Sequence, residues 1–130
     1  MNLELVQHSK IKITLLIVED SPSTRFSLMM MVGFDPNIEI VSAVATTREA
    51  LETLHSQPLV ILMDMTLPDI DGISAISQIK EKLPTAKIIL MSVEERYQPH
   101  ALAGGAEAFL AKPFCIDKLL NTIYAVLSTP

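Results

Sequence analysis

The chain has 130 residues, a net charge of −5, 49% hydrophobic residues and one cysteine. That is one domain's length with enough apolar side chains to bury a core, which excludes a disordered polar tail and a disulfide-stapled mini-protein. The acidic balance argues against nucleic-acid binding by this chain itself, Cys115 alone can form no internal disulfide and fits a reducing, cytoplasmic setting, and no apolar run is long enough to span a bilayer.

Residues 1–10 read as a loose leader, and 11–128 as the domain. Met1 to Lys12 carries Glu4 and alternating polar residues, unlike a signal peptide. Ile11 to Val18 is β-branched and leucine-rich and predicts a strand buried on both faces, ending at Glu19 and Asp20. Ser21-Pro22 predicts a helix start, with a capping hydroxyl followed by a proline whose missing N–H costs nothing in the first turn. Phe26, Met29 and Met30 share a face of that helix, Met29 to Met31 are expected in the core and on the helix surface, and Gly33 ends the pattern. Ile38 to Val44 is a second strand, and Thr46 with Glu49 has capping-box spacing ahead of a short helix. Leu59 to Met63 is a third strand, delivering Asp64 to its C-terminal end.

After Pro68, the stripe Ile73, Ile76, Ile79 and Leu83 predicts a helix opened by Gly72 and stopped by Pro84. Asp69 and Asp71 are expected to favour the N-terminus of that helix. Lys87 to Met91 is a fourth strand, ending at Ser92. Glu94 to Gly105 contains Pro99 and Gly104-Gly105, which leave room for only a turn or two of helix; Glu94, Glu95 and Arg96 read as a solvated loop. Ala108 to Ala111 is a fifth strand, ending at Lys112-Pro113, and Ile116, Leu119, Leu120, Ile123 and Leu127 give a clear last helix. Cys115, at its start, is expected to be buried or half-buried. His8, His55 and His100 have no metal-ligand spacing and read as surface residues.

Five strands alternating with helices predict an α/β fold, a doubly wound parallel sheet with helices on both faces and right-handed crossovers. Parallel strands bring all their C-terminal ends to one edge. That edge would carry Glu19, Asp20, Asp64, Ser92 and Lys112.

The stretches LLIVEDSPSTR (Leu15 to Arg25), LMDMTLPDIDG (Leu62 to Gly72), IILMSV (Ile88 to Val93) and AFLAKPF (Ala108 to Phe114) resemble the receiver domain of bacterial two-component response regulators. The resemblance implies a flavodoxin-like five-stranded sheet of order 2-1-3-4-5. It implies that Asp64 accepts a phosphoryl group from a sensor histidine kinase or phosphotransfer protein. It implies Mg²⁺ held by Glu19, Asp20, Asp64 and the Thr66 carbonyl, with Lys112 and Ser92 contacting the transferred group. Ser92 and Phe109 would be the switch residues, moving a surface formed by the fourth helix, fifth strand and fifth helix. Such a surface would serve a downstream output protein, an attached effector domain or a homodimer.

Three positions depart from the family pattern. Phe109 stands where tyrosine is common and has no hydroxyl to bond. Val93 stands where alanine or glycine is usual and should narrow access to Asp64. The interval from Ser92 to Lys112 is about two residues short, which bears on the fourth helix.

The segment from Pro22 to Val44 looks most like receivers joined to helix-turn-helix transcription factors. A receiver portion of a DNA-binding regulator, or a degenerate receiver acting as a constitutive interaction domain, are the alternative readings. An aspartyl phosphatase would need a second aspartate where Thr66 stands, so the expectation is a phosphoacceptor, not an enzyme.

Overall fold

Alternate residues of each strand point to opposite faces, so a strand that is apolar throughout needs cover on both sides. The computed structural model, which describes residues 12–128, meets that need with a single sheet between two helical layers. The strands are β1 (Ile13–Val18), β2 (Ile38–Val44), β3 (Val60–Asp64), β4 (Lys87–Ser92) and β5 (Ala108–Ala111). The helices are α1 (Pro22–Val32), α2 (Thr47–Glu52), α3 (Gly72–Lys82), α4 (Gln98–Ala103) and α5 (Ile116–Leu127). All strand pairs are parallel, in the order β2-β1-β3-β4-β5. The expected leader over 1–10 and the start of the first strand at Ile11 lie outside the described residues.

On one face Leu16, Val18, Ile61, Met63, Ile88 and Leu90 pack with Ala50, Leu54, Ala75, Ile76, Ile79 and Ala101 from the layer holding α2, α3 and α4. On the other, Leu15, Ile17, Val60, Leu62, Ile89 and Met91 pack with Leu28 and Val32 of α1 and Leu119, Ile123 and Val126 of α5. Burying an aliphatic side chain of this size stabilises the fold by about 1.5–3 kcal/mol, so the two faces together hold the sheet rigid behind its C-terminal edge.

The shared face of Phe26, Met29 and Met30 is not the side that α1 turns to the sheet, a choice that the sequence reading left open. Leu28 and Val32 are its buried residues, while Phe26 is 63% exposed, Met30 57% and Met29 37%. Both sides of this helix are apolar, so spacing alone does not choose between them; packing against α5 selects Leu28 and Val32.

Local signals set the helix ends. The Ser21 hydroxyl accepts from the Thr24 N–H, and the Thr46 hydroxyl accepts from the Glu49 N–H. Glu49 reaches back to the N–H of Ala45, one residue earlier than the usual capping box. The segment after Ser92 forms a 3-10 turn, Glu95–Tyr97, and then only the six residues of α4, matching the turn or two of helix expected there.

Gly72 is buried where the chain folds back behind β3. Its N–H donates to the Met65 carbonyl at 2.7 Å, and a Cβ there would lie 2.8 Å from Met65 Cα and 3.1 Å from the Asp64 carbonyl oxygen. Backbone cannot give as a side-chain tip can, so Gly72→Ala should cost about 2 kcal/mol. A urea unfolding curve checks this, and an unchanged midpoint would show that the loop yields easily.

Candidate functional site

The C-terminal edge gathers the residues that the sequence placed at four strand ends. Lys112 Nζ, beyond β5, donates to Asp64 Oδ2 at 2.7 Å and to Glu19 Oε1 at 2.9 Å. Glu19, Asp20 and Asp64 each offer a carboxylate oxygen within 4.8 Å of one another. Glu19 and Asp64 are buried and Asp20 is exposed. Ser92 is buried at the end of β4. Backbone hydrogen bonds tie these ends together: Met65 N–H to the Met91 carbonyl, Lys112 N–H to the Ser92 carbonyl, and Glu19 N–H to the Val44 carbonyl. The main chain beneath the site side chains is therefore held by the sheet itself.

The electrostatics follow from three acids facing one ammonium. Burial pushes the Glu19 carboxyl above its ordinary value, and the nearby Asp64 adds to the rise, although Lys112 and the Ser21 N–H pull the other way. Burial works against the Lys112 charge, but its bonds to Asp64 and Glu19 outweigh this and hold it protonated above the usual lysine pKa. Three carboxylates supply an all-oxygen donor set, the chemistry that suits a hard divalent cation.

Thr66 and Ser92 adjoin this centre. The Thr66 N–H donates to Asp64 Oδ1 at 2.8 Å, so Thr66 follows the carboxylate in a tight turn. The Ser92 hydroxyl accepts from the Glu94 N–H at 3.1 Å. Phe109 is half-buried against the core on the face covered by α2, α3 and α4. Val93 is 73% exposed.

Two other expectations are corrected. Asp71 caps α3 as expected, accepting from the N–H and hydroxyl of Ser74. Asp69 instead reaches across to α2, where its carboxylate accepts from the N–H groups of Thr47 and Arg48 at 3.0 and 2.9 Å. The bend of the loop aims Asp69 at a helix far away in sequence, which neighbour spacing does not reveal. Cys115 is exposed, not buried, because α5 turns Leu119, Ile123 and Val126 inward and leaves its N-terminal residue at the rim. His55 and His100 are exposed, and His8 lies outside the described residues.

The sequence also gave no role to Arg25, whose Nη1 donates to the Glu19 carbonyl oxygen at 2.7 Å. A cation near the start of a helix, against the helix dipole, is the signal that could have drawn attention to it.

A family model for the response regulator receiver domain matches residues 15–124. The chain belongs to the response regulator receiver domain family. Among curated relatives of this receiver, the chemotaxis protein CheY of Listeria monocytogenes is 32% identical over 112 residues, 84% of this chain and 93% of that protein. A protein-glutamate methylesterase/protein-glutamine glutaminase of Desulfitobacterium hafniense is 36% identical over 108 residues, and there the match takes in 80% of this chain but only 28% of the relative's length. A chain in the crystal structure of the CheX–CheY–BeF₃–Mg²⁺ complex from Borrelia burgdorferi superposes with a TM-score of 0.84 at 26% identity, over 95% of each chain. Among the described residues of the receiver, no helix is long and apolar enough to cross a membrane.

Slight burial works against the charge on Asp69, but the N–H groups of Arg48 and Thr47 outweigh it and hold its pKa below the ordinary aspartate value. Asp69→Ala should therefore destabilise the receiver by up to about 1 kcal/mol at neutral pH, at the low end for a cap because the carboxylate is exposed. A folded-state pKa below the unfolded one gives stability that is complete above about pH 4 and is lost as pH falls through the depressed value. Urea unfolding of both proteins over a pH series should show the difference closing in acid. A difference that persists at the acid end would mean the carboxylate charge is not its source.

Proposed function

We propose that this receiver is a phosphorylation-controlled switch in which Asp64 takes a phosphoryl group from a phosphohistidine on a sensor kinase or phosphotransfer protein. The observation that supports this most directly is the contact of Lys112 with both Asp64 and Glu19 at the edge that also holds Asp20 and Ser92. In the transfer, an Asp64 carboxylate oxygen forms the new O–P bond as the N–P bond of the phosphohistidine breaks. The Lys112 ammonium balances charge on the phosphoryl oxygens, and the Ser92 hydroxyl donates to one of them. Glu19, Asp20, Asp64 and the Thr66 carbonyl would hold Mg²⁺. When bound, the ion would offset the crowded negative charge and act as a Lewis acid on the phosphoryl oxygens.

Switching under this reading is an exchange of bonds. Ser92 gives up its bond with the Glu94 N–H, and Lys112 loosens its ion pair with Glu19. A charge-assisted hydrogen bond is worth about 1.5–3 kcal/mol, whereas taking a two-state equilibrium from 1:99 to 99:1 needs about 5.5 kcal/mol. Since both side chains start from existing bonds, the net gain falls short, and a partner or a second copy would complete the shift. Half-buried Phe109 would report it by repacking alone, toward the surface of α4, β5 and α5. The output protein or attached effector is part of this proposal, as is a cytoplasmic setting.

Incubation with Mg²⁺ and a small phosphodonor, followed by intact mass, should add one phosphoryl group to the wild type and none to Asp64→Asn. An unmodified wild type, or equal modification of Asp64→Asn, would overturn the assignment. Ser92→Ala should still accept the phosphoryl group but lose most of the amide shifts that fluoroberyllate induces around Phe109. Full retention of those shifts would remove Ser92 from the switch.

A further inference from the structure

We infer that Arg25 is a positioning residue for the acidic site: by pinning the Glu19 carbonyl it sets the direction of the Asp20 carboxylate. The inference rests on the metal-site reading above and deepens it.

Three observations lead there. First, the Glu19 carbonyl stands just past the end of β1, where the ladder no longer supplies a partner, and Arg25 Nη1 satisfies it at 2.7 Å in a half-buried contact. Second, Arg25 is poorly placed for its own helix. It stands in the N-terminal half of α1, where a cation opposes the dipole, and the first turn contains no acid to offset it. Helical side chains lean toward the N-terminus, and here that lean carries the guanidinium back over the Ser21 cap to the strand end.

Third, the carboxylates of the cluster are held unequally. Glu19 is fixed by Lys112 and by the Ser21 N–H, and Asp64 by Lys112 and the Thr66 N–H. Among the described residues, the Asp20 carboxylate has no hydrogen bond or ion pair of its own. Its aim is set by its backbone, and the peptide joining Glu19 to Asp20 is the one whose carbonyl Arg25 grips. Arg25 therefore acts on the site through Asp20 while touching no reacting atom.

The test rests on the sign of an effect. Removing a nearby cation should tighten the binding of another cation if Arg25 acts only through its field. Removing a positioning contact should weaken it. Mg²⁺ titrations of the wild type, Arg25→Met and Arg25→Lys, read from amide shifts with thermal melts in chelator as a fold check, separate the two. The expected order of affinity is wild type, then Lys, then Met, with the Met variant weaker by about tenfold, the scale on which residues supporting metal ligands act.

Equal or tighter Mg²⁺ binding by a folded Arg25→Met would overturn the inference. If that variant does not fold, Arg25→Lys decides, since it keeps the charge: weaker binding supports positioning, and unchanged binding overturns it. A wild type that shows no Mg²⁺ response would instead overturn the metal-site reading, and this role with it.

Discussion

The Lys112 ammonium, 2.7 Å from Asp64 and 2.9 Å from Glu19, is the contact on which the functional edge depends. The Glu19 and Asp64 side chains are only 2% and 12% exposed, too buried to hold charge comfortably without a partner. Deleting one partner of such a pair typically costs about 3–5 kcal/mol, because the other charge is stranded. One ammonium is still not enough for three acids, and Glu19 stays above its ordinary pKa, chiefly through burial, with Lys112 in contact. The edge is thus short of positive charge by construction, the condition under which a cation is attracted to it.

Behind the edge the strands are apolar and close-packed; on it Glu19, Asp64, Ser92 and Lys112 are each bonded to a neighbour, and among the described residues the Asp20 carboxylate is not. β1, β3 and β4 bury nearly all their side chains, so the strand ends are fixed points. The loops leaving them are held by contacts from other elements. Arg25 of α1 grips the end of β1. Asp69 ties the loop after β3 to α2, and the Thr47 hydroxyl of α2 donates back to the Ile70 carbonyl. Gly72 closes the same loop onto Met65. The loops after β1 and β3 and one sheet edge thereby form a frame around the site side chains.

The segment after Ser92 is built differently. It is a 3-10 turn followed by six helical residues, with Ala101 as the only buried residue of α4. Few buried apolar contacts mean low local stability, so this segment can move while the frame does not. The proposed signal passes through it on the way to the half-buried Phe109.

The sequence by itself determined the strands, the order in which they meet helices and the five polar residues at their ends. It could do so because burial on both faces writes an uninterrupted apolar run, and each run stops where the chemistry begins. It also carried the family, since the motifs around Glu19-Asp20, Asp64, Ser92 and Lys112 fall on four separate strand ends. What it left open were choices between faces and between distant partners. Phe26, Met29 and Met30 were as apolar as Leu28 and Val32, and only packing against α5 decided which side turned inward. Asp69 looked like a cap for the helix that follows it, yet the loop delivered it to α2. Arg25 was one residue of a motif until the fold set its guanidinium on the Glu19 carbonyl. Periodicity and capping are local and can be read along the chain; the contacts that hold the site's loops join residues brought together only by the folded sheet and its helices.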